Sequence, residues 1–226
     1  MARDLKTSCV ILIINFTDFS KMSKKKIGFL GGTFDPPHFG HINFSLEMQE
    51  KHQLDKILLC PTGIPPHKTV NAPVASPGQR LDMATLAFEG IKGIEVIDIE
   101  VKKTEACYTI DTIRALLEKY AQKKEDLEIF LLLAEDAALG LSFWKESEEL
   151  LKLTTLVVGS RNLPLTAQLE KGCDEKILQR VQKAKTQILE MGIASTYVRE
   201  RLKKRLYCGH LVPQKVLDYI HKNKIY

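Results

Sequence analysis

Between Lys26 and His41 the chain carries residues whose types and spacing suit the holding of phosphate. An apolar run, Ile27-Gly28-Phe29-Leu30, leads into Gly31-Gly32-Thr33-Phe34-Asp35-Pro36-Pro37 and then His38-Phe39-Gly40-His41. Gly31 and Gly32 remove side chains where a strand turns sharply, so that peptide N–H groups can come close to an anion. His38 and His41, three apart at the start of the following helix, project from one face of its first turn and would meet the same anion. Two blander readings stand beside this one. A glycine pair after an apolar run is by itself only a turn, and a histidine pair at this spacing is also half of a metal site. No further Cys or His cluster lies at zinc-ligand spacing, and neither Gly-Lys-Ser/Thr nor G-x-G-x-x-G follows, so this is neither a Walker loop nor a dinucleotide fingerprint.

Further candidates lie downstream. Ser195 or Thr196 caps a helix whose N–H groups and dipole attract phosphate, while Arg199, one turn in, can add a bidentate guanidinium. Arg201, Lys203, Lys204 and Arg205 read as a solvated basic face. Glu135 and Asp136 stand at the carboxyl end of a strand, where a carboxylate either accepts a ribose hydroxyl or caps the next helix. Trp144, the only tryptophan, is either core or a plane on which a ring could stack. Lys68, in the punctuated stretch Pro61–Pro77, reads on composition as a solvated loop charge.

The elements that must position these residues follow from periodicity. Strands are expected at Ile27–Leu30, Lys56–Cys60, Ile94–Ile99, Leu127–Leu133 and Thr154–Gly159. Leu127–Leu133 is apolar almost throughout, as a central parallel strand covered on both faces would be. Helices are expected over Gly40–His52, with Ile42, Leu46 and Gln49 on one stripe, and from Pro77, capped by Ser76, to Glu89. Another starts at an N-cap Thr109 and carries Ile110, Ile113, Leu117 and Tyr120. Lys176–Leu189 should be helical at least in its first half, Leu163–Cys173 a loop, and the segment after Pro213 a last amphipathic helix. This alternation indicates an α/β chain with a Rossmann-like, doubly wound parallel sheet in a single domain.

Composition sets the bounds. A chain of 226 residues, 44% of them hydrophobic, can bury the core of one sizeable domain. The net charge of +5 is spread along the chain and suits anionic small molecules as well as nucleic acid. Cys9, Cys60, Cys107, Cys173 and Cys208 are scattered, with no C-x-x-C pair, so the default is a reducing cytoplasm. Cys9–Ile14 is too short to span a bilayer and no small-x-small cleavage pattern follows it; if folded, Val10–Ile14 would be an added edge strand.

Gly31-Gly32-Thr33-Phe34-Asp35-Pro36 with His38-x-Gly40-His41 resembles the signature of the HxGH nucleotidyltransferases, and within them that of the bacterial nicotinate mononucleotide adenylyltransferases. Ile193-Ala194-Ser195-Thr196-Tyr197-Val198-Arg199 is similar to that family's Ile-Ser-Ser-Thr-x-x-Arg, and Pro65-Pro66-His67-Lys68 to its Pro-Pro-His-Lys. The resemblance covers nearly all of 27–226, the nucleotidyltransferase domain. It leaves 1–26 as an N-terminal extension, with Met22 standing where family members usually begin. It implies transfer of AMP from ATP to nicotinate mononucleotide, giving deamido-NAD and pyrophosphate, in the cytoplasm, with neither nucleic acid nor membrane as partner. By the same resemblance His41, His38 and Arg199 are catalytic. Gly32, Thr33, Phe34, Ser195, Thr196 and Asp136 hold ATP, and Lys68, Tyr108, Thr109, Trp144 and Lys145 hold nicotinate mononucleotide. Mg²⁺ would be carried by the ATP phosphates rather than by a protein ligand set.

The chain departs from the pattern at Ala194, where the family usually has Ser, and at Ala134, where its Gly-x-Asp has Gly. Neither change removes a charge the chemistry needs. The alternatives are another HxGH transferase, such as a pantetheine-phosphate adenylyltransferase, and a non-catalytic nucleotide- or RNA-binding module. Pro-Pro-His-Lys, Tyr108-Thr109 before a helix and Trp144 speak against the first, and retention of both histidines and Arg199 against the second.

Overall fold

The computed structural model describes residues 24–66, 72–160, 174–189 and 191–226. Among them six strands form one parallel sheet: β1 (Lys25–Gly32), β2 (Lys56–Pro61), β3 (Ile94–Val96), β4 (Leu127–Ala134), β5 (Thr155–Ser160) and β6 (Lys185–Gln187). Their order is β3-β2-β1-β4-β5-β6. The chain therefore winds outward from β1 to one edge and, after crossing to β4, outward to the other, which is the doubly wound arrangement expected from the sequence. The strand order reverses between β1 and β4, so a crevice opens beyond their carboxyl ends. Gly31-Gly32 and Glu135-Asp136 lie at those ends.

Side-chain alternation explains why the strands are apolar almost throughout. Leu30, Ile57, Leu59, Phe130 and Leu132 enter one buried cluster, while Ile27, Phe29, Leu58, Ile129, Leu131 and Leu133 enter another. Successive side chains on a strand point to opposite faces, so each strand feeds two cores. The first cluster is closed by α1 (Phe39–His52), α2 (Pro77–Phe88), α7 (Ser195–Lys203) and α8 (Gln214–Asn223). The second is closed by α3 (Thr109–Gln122), α4 (Glu135–Leu139), α5 (Ser147–Leu153) and α6 (Glu175–Lys183). Full burial of one such Leu, Ile or Phe contributes roughly 1.5–3 kcal/mol. Ser76 caps α2 as expected: its Oγ accepts from Gln79 N–H at 3.2 Å, while Gln79 Oε1 accepts from Ser76 N–H at 2.9 Å.

Several boundaries differ from the sequence reading. β1 starts two residues before Ile27, because Lys25 and Lys26 pair with Leu127 and Glu128. The buried stripe of α1 is Phe44, Ser45 and Met48 rather than Ile42, Leu46 and Gln49, so the helix is rotated by its packing and not by its weak periodicity. After α6 the chain does not continue as helix. Lys185–Gln187 satisfies the free edge of β5, with Val158 opposite Lys185 and Ser160 opposite Gln187, and this pairing overrides local helix propensity. Neither Thr109 nor Ser195 nor Thr196 is an N-cap; those positions are Tyr108 and Ala194, and neither makes a side-chain cap bond. Val10–Ile14, Lys68 and Leu163–Cys173 lie outside the described residues. None of the described helices is long and apolar enough to cross a membrane.

Candidate active site

The crevice between β1 and β4 is a cleft of about 1240 Å³. Gly32, Thr33, Phe34, His38 and His41 line it from the β1 side, Asp136 from the end of β4, and Ser195 from the start of α7. Tyr108, Thr109, Trp144 and Lys145 line its other end. Eleven of the fourteen expected site residues thus share one cavity, although they come from four separate parts of the chain. Thr196 and Arg199 stand beside it rather than in its lining, and Lys68 lies outside the described residues.

The glycines do not make the sharp turn themselves. Gly31 and Gly32 are the last residues of β1, and the left-handed position is Phe34, with φ 51°, followed by a cis Asp35–Pro36 peptide. What Gly32 provides is space, since a Cβ there would lie 2.9 Å from the Phe34 ring. Phe34 in turn packs its edge against His41, with centroids 5.0 Å apart.

The two histidines stack in the first turn of α1. His38 is 6% exposed, and burial pushes its pKa down to about 4. Burial, and secondarily the neighbouring His38, holds His41 well below the ordinary 6.5. Both rings are therefore neutral at pH 7, and they enter the site as hydrogen-bonding groups rather than as fixed cations. His38 N–H donates to His41 Nδ1 at 3.1 Å, which assigns the His41 proton to Nε2 and leaves that N–H as its donor. His38 Nδ1 is buried with no hydrogen-bond partner among the described residues.

Helix α7 is tied directly to the turn after β1. Ser195 Oγ donates to the Pro36 carbonyl at 2.8 Å, and Arg199 Nη1 donates to the Asp35 carbonyl at 2.7 Å. Arg199 Nη1 also stands 3.7 Å from Asp35 Oδ2, and its Nη2 donates to Thr196 Oγ1 at 3.2 Å. The turn is braced from below by Arg80, 1% exposed, which donates to the carbonyls of Thr33 and Gly63, both at 2.9 Å. Burial lowers the Arg80 pKa, opposed first by the charge of Asp35. Asp35 and Arg80 were not singled out in the sequence. A signal for Arg80 was present, since it begins the buried stripe Arg80, Met83, Ala84, Ala87 of α2, a place where an arginine needs partners.

The structure separates the two carboxylates at the end of β4. Glu135 is engaged by Lys185 Nζ at 2.8 Å and Ser160 Oγ at 3.3 Å. Asp136 is exposed and makes no hydrogen bond or ion pair with the described residues. At the far end, Lys145 Nζ lies 4.8 Å from the centre of the Tyr108 ring and 3.0 Å from Asp111 Oδ2. Trp144 is half-buried, packed on the core with one side and lining the cleft with another. Glu100, another cleft residue absent from the sequence reading, is buried and accepts from Thr112 Oγ1 at 2.9 Å; burial raises its pKa. Among the described residues no group of three or more His, Cys, Asp or Glu side chains is placed to hold a metal ion.

Residues 29–201 match the model of the cytidylyltransferase-like family. A curated relative from Dictyoglomus thermophilum, named "Probable nicotinate-nucleotide adenylyltransferase", is 36% identical over 204 residues, covering 89% of this chain and 99% of its own. One of the same name from Desulfatibacillum aliphaticivorans is 33% identical, with the same coverage. The solved Plasmodium falciparum nicotinic acid mononucleotide adenylyltransferase, complexed with NaAD, shares the fold at a TM-score of 0.70 and 20% identity, over 89% of this chain and 97% of that one.

Proposed function

We propose a reading that proceeds from relationship: this chain belongs to the cytidylyltransferase-like family and, within it, to the nicotinate-nucleotide adenylyltransferases. It transfers AMP from ATP to nicotinate mononucleotide, giving deamido-NAD and pyrophosphate, a step of NAD biosynthesis. The observation that best supports this for the site is the switch-point cleft, which brings the paired imidazoles and the start of α7 to one end and an aromatic pocket to the other.

The chemistry needs no general base. A phosphate oxygen of the mononucleotide, already ionised, attacks the α-phosphorus of ATP, and the bond from that phosphorus to the oxygen bridging to the β-phosphate breaks as pyrophosphate leaves. The reaction requires in-line alignment and relief of repulsion between anions. His41 Nε2–H donates to the ATP phosphates, His38 completes the pair, and Gly32, Thr33 and Phe34 shape the wall. Ser195, Thr196 and Arg199 serve the triphosphate from α7. Asp136, whose carboxylate has no partner among the described residues, accepts from a ribose hydroxyl. Tyr108, Thr109, Trp144 and Lys145 receive the pyridine ring, with Lys68 contributing from its loop. A divalent metal enters with the nucleotide, as MgATP. Imidazole, hydroxyl and guanidinium donors are partners for phosphate rather than ligands for a hard cation, and fit that division of labour. The compartment is the cytoplasm, where Cys60, Cys107 and Cys208, all free and buried, stay reduced.

The test is pyrophosphate release by the purified chain with MgATP and, in turn, nicotinate mononucleotide, nicotinamide mononucleotide and phosphopantetheine. Release confined to the first two, with the first preferred, is expected. Release only with phosphopantetheine would overturn the substrate assignment.

A further inference from the structure

Tyr226 reaches across the fold to the turn after β1. Its phenol donates to Asp35 Oδ1 at 2.7 Å, between residues 191 positions apart. Asp35 is 3% exposed, and three donors converge on it besides Tyr226. Val74 N–H donates to Oδ2 at 2.8 Å and Ala75 N–H to Oδ1 at 3.1 Å. Arg199 Nη1 donates to its carbonyl at 2.7 Å and stands 3.7 Å from Oδ2. Beneath them Arg80 Nε donates to the Ala75 carbonyl at 3.3 Å.

We infer that Tyr226 is a positioning residue for Arg199, acting through Asp35. The carboxylate has two oxygens and must present Oδ2 to the guanidinium while Oδ1 faces away. The Tyr226 hydroxyl and Ala75 N–H bind Oδ1 while Val74 N–H binds Oδ2, and together they fix the torsion that keeps Oδ2 3.7 Å from Arg199 Nη1. The phenol remains a donor throughout the working range, because burial, and then its bond to Asp35, raises its pKa far above 10. Its ring packs against the cluster that also contains Val198, the neighbour of Arg199 on α7. Asp35 thereby engages Arg199 twice: its carbonyl accepts from Nη1 and its Oδ2 stands 3.7 Å from the same nitrogen, which holds the guanidinium beside the cleft. Arg199 has donors beyond those committed to Asp35 and Thr196, since a guanidinium carries five N–H groups.

This inference rests on the assignment of Arg199 to the triphosphate. The experiment is a double-mutant cycle of Tyr226→Phe and Arg199→Ala, read as kcat/KM for MgATP and KM for nicotinate mononucleotide. Tyr226→Phe should lower kcat/KM for MgATP about tenfold, the scale of one hydrogen bond to a charged group. KM for the mononucleotide should stay within about twofold, and in the Arg199→Ala background the same change should also have an effect within about twofold. Asp35→Asn, similar in size but without the charge that faces Arg199, should reproduce the MgATP-specific loss. Equal losses for both substrates, or the same tenfold loss in the Arg199→Ala background, would mark Tyr226 as merely structural and overturn the inference. An unimpaired Arg199→Ala chain would instead overturn the assignment of Arg199 itself.

Discussion

The imidazoles of His38 and His41 stack 3.7 Å apart between centroids, with 29° between their planes. Burial holds both rings neutral, and at that separation the neighbouring His38 lowers the His41 pKa further. The consequence is that the pair carries no fixed positive charge at pH 7 and presents hydrogen-bonding groups to the cleft.

The same pair makes stability depend on pH. The folded pKa of His38 is about 4, below the 6.5 of an unperturbed histidine, so on acidification the unfolded chain takes up its proton first. This contribution is fully present above pH 6.5 and is lost as pH falls from 6.5 toward 4. At 1.36 kcal/mol per pH unit, His38 alone should remove about 2 kcal/mol between pH 7 and pH 5. Urea denaturation of wild type and His38→Gln at both pH values measures it. Identical pH dependence in the two chains would show that His38 is not buried as described.

Replacing His41 removes a donor, Nε2–H, whose proton is placed there by the hydrogen bond from the His38 backbone N–H to Nδ1. His41→Ala should lower kcat by about 10²–10³, as loss of a preorganised donor at a transferring group does. Its far-ultraviolet circular dichroism should be unchanged. Wild-type turnover in that variant would remove His41 from the phosphate site.

Acid should be preferred over amide. The N-terminal N–H groups of α3 begin at Thr109, in the lining of the cleft, and a carboxylate on the pyridine ring could accept from them. An amide would turn its own NH₂ toward donors, leaving buried groups unpaired at roughly 1–3 kcal/mol each, so nicotinate mononucleotide should win by about a hundredfold in kcat/KM. Steady-state kinetics with both acceptors, in wild type and in Trp144→Ala, tests the pocket. Equal values in the wild type refute it, and an unaltered Trp144→Ala chain would make that side chain core alone.

Gly63 tests the brace under the turn. Its carbonyl accepts from Arg80, and a Cβ at this position would lie 2.2 Å from the Glu100 carbonyl oxygen and 2.8 Å from its carbon. Both are backbone atoms, so the main chain would have to move. Gly63→Ala should cost about 1–3 kcal/mol in urea denaturation, as overpacking does. A chain of undiminished stability would mean that the segment is free to shift.

The sequence by itself determined the sheet, its parallel sense and the address of the cleft. Runs such as Leu127–Leu133 are apolar at consecutive positions because both faces are covered, and Gly31-Gly32 and Glu135-Asp136 mark the carboxyl ends where a doubly wound sheet binds ligands. Those signals are local, or repeat with the period of one element, and can be read without knowing what lies opposite. What only the tertiary structure decided is how the residues of the site are held and charged. The neutrality of His38 and His41 comes from burial, with His38 adding to the effect on His41, whereas spacing alone gave a pair facing an anion, with a metal half-site as the less favoured reading, and said nothing of its charge. Glu135 and Asp136 are alike in sequence, and Lys185, 50 positions away, takes one and leaves the other. Asp35 was in plain view within the glycine-rich signature, yet its partners Val74, Arg199 and Tyr226 are 39, 164 and 191 positions away. Folding brings such partners within hydrogen-bonding reach of one carboxylate, and no periodicity along the chain records a contact that depends on where separate elements come to rest.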